Sequence, residues 1–110
     1  MMTRVGLAAV LVATWPSAAL AGEEMSAAAA AGNLLVDGNC SACHAIAGDD
    51  ASVNADAPPF RDVVTRYPPE HLGEALAEGI LTGHPDMPQF VFQPDEIGAI
   101  IAYLDWLQAR

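Results

Sequence analysis

The residues best suited to chemistry lie in one stretch, Asn39 to Ile46, which reads NCSACHAI. It contains both cysteines of the chain, Cys40 and Cys43, with His44 directly behind the second. Three uses compete for this triplet. A redox pair of the thioredoxin kind needs a surrounding βαβ pattern, and the sequence offers no convincing alternating strand. A structural zinc ion takes four protein ligands, yet beyond the triplet only His71 and His84 remain as nitrogen donors, at no zinc-finger spacing. The third use is covalent haem attachment, the usual meaning of C-x-x-C-H. Two thiols one helical turn apart reach the two vinyl groups on one edge of a porphyrin. The adjacent imidazole then sits beneath the iron as its proximal ligand.

Which use applies depends on where the chain resides. Met1 to Arg4 carry one positive charge, Val5 to Trp15 form a mostly apolar run, and Pro16 follows. Ala19-Leu20-Ala21 is a small-x-small cleavage signal ahead of Gly22. These are the parts of a secretory signal peptide. The run is too short to cross a bilayer, which takes roughly 20 apolar residues. Residues 1–21 are therefore expected to be a signal peptide and 22–110 a single mature domain, exported to the periplasm. Thioether bonds would use up both cysteines, leaving an exported protein with no free thiol.

Loss of Arg4 with the leader leaves Arg61, Arg66 and Arg110, and no lysine, against all 14 acidic residues. Such a surface repels nucleic acid and anionic lipid and suits partners with a basic docking face. A mature domain this small buries only a marginal apolar core, and small domains compensate with disulfides, a metal or a bulky cofactor. A bridge between Cys40 and Cys43 would close too small a loop to constrain the unfolded chain.

The elements that must position the triplet are helices. Ser26 can cap a helix that runs through Ala27–Ala31 to Val36, although Gly32 interrupts it at a cost of about 1 kcal/mol against alanine. Residues 48–59 read as loop, and Phe60 to Arg66 as a short helix. A further helix begins near Pro69-Glu70 and is expected to reach Leu81, with Leu72, Ala75, Leu76 and Ile80 on one face. After a proline-framed loop over Thr82–Gln93, a last helix opens at Pro94-Asp95-Glu96. It carries Ile97, Ile100, Ile101, Leu104 and Leu107 on one stripe. The fold class is all-α.

With these residues in place, the mature chain resembles the class I c-type cytochromes of the small bacterial kind over almost all of Gly22–Arg110. The first signal is Cys40-Ser41-Ala42-Cys43-His44. The second is Ala57-Pro58-Pro59-Phe60, where the resemblance implies that the Pro58 carbonyl accepts a hydrogen bond from the outer nitrogen of His44. The third is Gly83 to Phe90, GHPDMPQF, in which Met87 matches the family's distal methionine and His84 is the rival ligand. The fourth pairs Gly32 and Val36 with Ile100 and Tyr103, where the family crosses its N- and C-terminal helices at a glycine facing an aromatic ring.

The resemblance implies one covalent haem c with iron, held by Cys40 and Cys43 and ligated axially by His44 and Met87. Leu72, Leu76, Ile80, Phe60 and Phe92 are candidate walls of its pocket. Arg61, Arg66, Tyr67 and Trp106 are candidate donors to its propionates. The expected function is one-electron transfer by a monomeric, non-enzymatic periplasmic carrier that meets membranes only through partners. The alternatives are a haem sensor or weak peroxidase with a labile sixth ligand, or the electron-accepting subunit of a dehydrogenase. The family's lysine-rich docking ring is missing, which puts a mitochondrial-type oxidase partner in doubt.

Overall fold

Capping explains where the two longest helices begin. In the computed structural model, which describes residues 6, 8–15, 24–79 and 86–110, helix α1 spans Ala27–Asn39. Ser26 stands in extended backbone before it, and its hydroxyl accepts the Ala29 N–H at 3.1 Å. Helix α4 spans Pro94–Gln108, and Gln93 and Glu96 cap it reciprocally. The Gln93 N–H donates to Glu96 Oε1 at 2.9 Å. Pro94 sits where a helix needs no N–H, and Asp95 and Glu96 face the positive end of the helix dipole.

Between them lie α2 (Phe60–Arg66), a 3-10 turn (Pro69–His71) and α3 (Leu72–Glu78). Tyr67 precedes Pro68 and takes extended backbone, which ends α2. Among the described residues there are helices, turns and loops but no strand. The helix expected to run from Glu70 to Leu81 is shorter than that. Its first turn is 3-10, and Gly79, at φ 92°, ends it. Ile80 and Leu81 lie outside the described residues, as do the leader elements Met1–Arg4, Pro16 and Ala19-Leu20-Ala21.

Helix α4 is the hub. Its largest partner is α1, and α2, α3 and the 3-10 turn all pack on it. Val36, Val64, Phe92, Ile97, Ile100, Tyr103 and Leu104 make one buried cluster. The side-chain amide of Gln108 adds a polar tie by donating to the Val64 carbonyl at 2.8 Å. Thus the stripe read on the last helix is the core seam, with Ile101 at its half-buried margin.

The α1–α4 contact is closest at Gly32. A Cβ there would lie 1.9 Å from the Ala99 carbonyl oxygen, 2.5 Å from its carbon and 2.9 Å from Tyr103 Cβ. The aromatic residue expected opposite the glycine is present, but the backbone of Ala99 is nearer still. Backbone cannot swing aside as a side chain can, so even a methyl group must push the helices apart.

Gly32→Ala therefore discriminates between two signs. On helix propensity alone alanine should stabilise, by about 1 kcal/mol. Overpacking against Ala99 should instead destabilise the protein by about 1–3 kcal/mol, and Gly32→Val by more. Thermal unfolding of the two variants beside the parent measures this, and a gain in stability for alanine would rule out the close contact.

Candidate functional site

The C-terminus of α1 delivers the first cysteine. Cys40 caps the helix, its N–H donating to the Val36 carbonyl at 2.8 Å. The chain then turns tightly, with the N–H groups of Cys43 and His44 both donating to the Cys40 carbonyl, at 3.2 and 2.9 Å. Both sulfurs are unbridged thiols on half-buried residues. Burial pushes the Cys40 thiol up to about 11, so at neutral pH it holds its proton.

His44 is oriented from behind. Its Nδ1–H donates to the Pro58 carbonyl at 2.8 Å, which fixes the tautomer with Nδ1 protonated. The lone pair of Nε2 is then free to coordinate a metal. The Phe60 ring leans against the imidazole, centroids 5.2 Å apart and tilted by 46°.

The segment behind His44 is tied at several backbone groups. The Ala45 N–H donates to Ser52 Oγ at 2.9 Å, and its carbonyl accepts the Phe60 N–H at 2.8 Å. The Tyr103 hydroxyl donates to the Ile46 carbonyl. The Ala47 N–H donates to Asp50 Oδ1 at 3.1 Å, and Arg61 holds the Asp50 carbonyl at 2.6 Å. Ser52, Asp50 and Tyr103 carry no motif that marks them as partners of this segment. Tyr103 was legible only as a helix-crossing residue, because a hydrogen bond spanning 57 positions leaves no local signal.

Of the candidate propionate donors, Arg61 is engaged by Asp50, while Arg66 and Tyr67 stand exposed. Trp106 stacks on Tyr103 beneath the Arg110 guanidinium, 3.6 Å from the ring centroid. Its Nε1–H is buried without an acceptor.

Met87 is half-buried, in the loop between α3 and α4. That loop returns through the Phe92 N–H, which donates to the Leu76 carbonyl at 3.0 Å. His84 and Pro85 lie outside the described residues. The wall candidates Phe60, Leu72 and Leu76 are only partly buried, whereas Phe92 is in the core. Helix α3 has no fully buried residue at all. An amphipathic helix normally buries its apolar face, so the protein alone leaves this face without its full packing. A flat apolar cofactor would supply what is missing, and the residues present fit one.

The cytochrome c family model matches residues 29–108. The chain belongs to the cytochrome c family. Membership brings a covalent haem c with its iron, electron transfer as the family's chemistry, and the small all-helical cytochrome c fold. Cys40, Cys43 and His44 supply the C-x-x-C-H attachment motif. The chain is also similar to cytochrome c-552 of Bradyrhizobium diazoefficiens, 39% identical over 69 residues. That match covers 63% of this chain and 64% of the relative, so it spans less than two thirds of either. No solved structure matches the chain.

Removing the Tyr103 hydroxyl should report on the tie to Ile46. Tyr103→Phe keeps the ring and orphans a carbonyl, at a cost of about 1–3 kcal/mol, or several degrees in Tm. The pH dependence has a definite sign. Burial, and then the charge of Asp50, raise the Tyr103 pKa above its ordinary value of 10.0. The unfolded chain thus loses the phenol proton first, and stability present below pH 10.0 falls as pH rises towards the folded-state value. Alkaline melts of the parent should show this loss and those of Tyr103→Phe should lack it. Parallel curves would mean that Tyr103 does not ionise on unfolding.

Proposed function

We propose that this cytochrome c is an exported one-electron carrier. In this reading His44 is the proximal ligand, Met87 is the distal ligand, and thioethers at Cys40 and Cys43 fasten the haem. The observation that carries it is the His44–Pro58 hydrogen bond beside two unbridged thiols at the end of α1. Haem iron supplies the exchange of one electron, while the protein supplies ligands, burial and a docking face. A soft thioether opposite an imidazole leaves no open position and suits iron that must change charge without changing geometry.

Export is supported by the leader pattern, whose residues Val10, Leu11, Val12 and Trp15 stand highly exposed, outside the core. Among the described residues no helix is long and apolar enough to cross a membrane. In this reading residues 1–21 are removed, and 22–110 act as a monomer that reaches membranes only through its partners.

Two measurements on the purified protein test the ligand set. After denaturation in acid solvent the haem should stay with the chain, at the mass of residues 22–110 plus one haem. Met87→Ala should open the sixth position, lower the reduction potential and admit carbon monoxide or cyanide, whereas His84→Ala should leave the optical spectrum nearly unchanged. A colourless folded protein with a Cys40–Cys43 disulfide overturns the attachment. Loss of the low-spin spectrum in His84→Ala but not Met87→Ala makes it a bis-histidine cytochrome.

The partner proposed is a redox protein with a basic docking face. Among the described acidic residues all but Asp50 and Glu96 are exposed, against few arginines. Electron transfer to such a partner should slow as ionic strength rises, since screening shortens from about 10 Å at 0.1 M to about 3 Å at 1 M. A stopped-flow salt series measures it, and a rate that climbs with salt would exclude a basic partner.

A further inference from the structure

The side chain of Gln89 occupies a position that its solvent exposure does not explain. A Cβ placed on Gly79 would stand 2.3 Å from Gln89 Nε2, 2.6 Å from its Cγ and 2.9 Å from its Cδ. Gln89 therefore lies across the backbone of Gly79, in the space that any other side chain at position 79 would fill. Gly79 also has φ 92°, the single positive value among the described residues, in a region that side chains with a Cβ rarely enter. Glycine there meets two demands at once: it turns the chain out of α3, and it admits Gln89.

This contact closes the inner base of the loop that carries Met87. The outer base is closed by the Phe92 N–H on the Leu76 carbonyl. Only Pro88 separates Gln89 from Met87, and its ring fixes φ. Pro88 thus removes one soft torsion from the path between Gln89 and Met87. Holding an exposed glutamine in one place forfeits side-chain entropy, and the core cluster does not include it.

We propose that Gln89 is a positioning residue for Met87: by lying over Gly79 it latches the returning arm of the loop to the end of α3 and holds the sulfur at the iron. The inference rests on the reading of Met87 as the sixth ligand. Because the Leu76–Phe92 bond remains when Gln89 is truncated, loss of the latch loosens the arm that carries Met87 without releasing the helices.

The test uses ferric holoprotein in four forms: parent, Gln89→Ala, Gln89→Glu and Gly79→Ala, with Met87→Ala as reference. Two readouts are needed. One is the rate of cyanide association. The other is the temperature at which the absorbance band of sulfur-ligated ferric iron disappears, set against the loss of the far-ultraviolet helix signal. Gln89→Ala should bind cyanide several-fold faster than the parent and lose the sulfur band at a lower temperature, with the helix midpoint nearly unchanged. Gly79→Ala should also speed cyanide binding, since its methyl group displaces Gln89, but its helix midpoint should fall as well, because a Cβ at φ 92° strains the turn out of α3. Gln89→Glu, which retains the reach and the methylenes and adds no thioether, should restore most of the parent behaviour. Parent-like cyanide rates in Gln89→Ala overturn the latch, as does a sulfur band that falls only together with the helix signal. If the parent itself shows no sulfur band and Met87→Ala changes nothing, the sixth-ligand reading fails and the latch with it. A normal parent beside an unaffected Gln89→Ala defeats the latch alone.

Discussion

The close approach of α1 and α4 at Gly32 is the constraint on which the rest of this protein depends. With the Ala99 carbonyl 1.9 Å from where a Cβ would stand, one hydrogen atom is all that fits between the two backbones. That contact fixes how α1 lies against α4, and Cys40 and the turn to His44 follow from the end of α1. It also sets how α4 presents Tyr103, whose Cβ borders Gly32 and whose hydroxyl reaches the Ile46 carbonyl. A single residue thus belongs both to the helix contact and to the segment behind His44. Displacement at the one is felt at the other, because packed interiors transmit strain rather than absorb it.

The two sides of the proposed haem site are held very differently. On the proximal side His44, Ala45, Ile46 and Ala47 have backbone or side-chain groups engaged by Cys40, Ser52, Phe60, Tyr103, Asp50 and Pro58. An imidazole so fixed loses little entropy on binding a metal, which favours a ligand that keeps its geometry through a change of charge. On the distal side the Phe92 N–H on the Leu76 carbonyl and the packing of Gln89 over Gly79 hold the base of the Met87 loop to the end of α3.

The half-buried walls belong to the same design. Phe60, Leu72, Leu76 and Phe90 pack against the core without being enclosed by it, and α3 buries no residue fully. In the proposed reading core and cofactor pocket are one apolar region, which accounts for how so small a domain obtains enough of a core. The charged residues are kept away from that region. None of the described residues is both polar or charged and buried, so the acidic groups are left to act at the surface, where they govern encounter with partners.

What was legible in the sequence is what local chemistry fixes. Ser26, the Pro94-Asp95-Glu96 start and the Tyr67-Pro68 junction mark helix boundaries, since caps and proline act within a turn of where they stand. The spacing of Cys40, Cys43 and His44 is likewise a property of one short segment. Gly32 advertised a close contact through its helix cost, but its neighbour Ala99 did not, because a backbone carbonyl carries no sequence signature. The end of α3 was misplaced by position alone, as Gly79 reads like any interior glycine until its φ is known. The partners of Asp50, Ser52, Tyr103 and Gln89 were decided only by tertiary structure. Polar side chains of these types are interchangeable on a surface, and what singles them out is the donor or glycine that folding brings within reach.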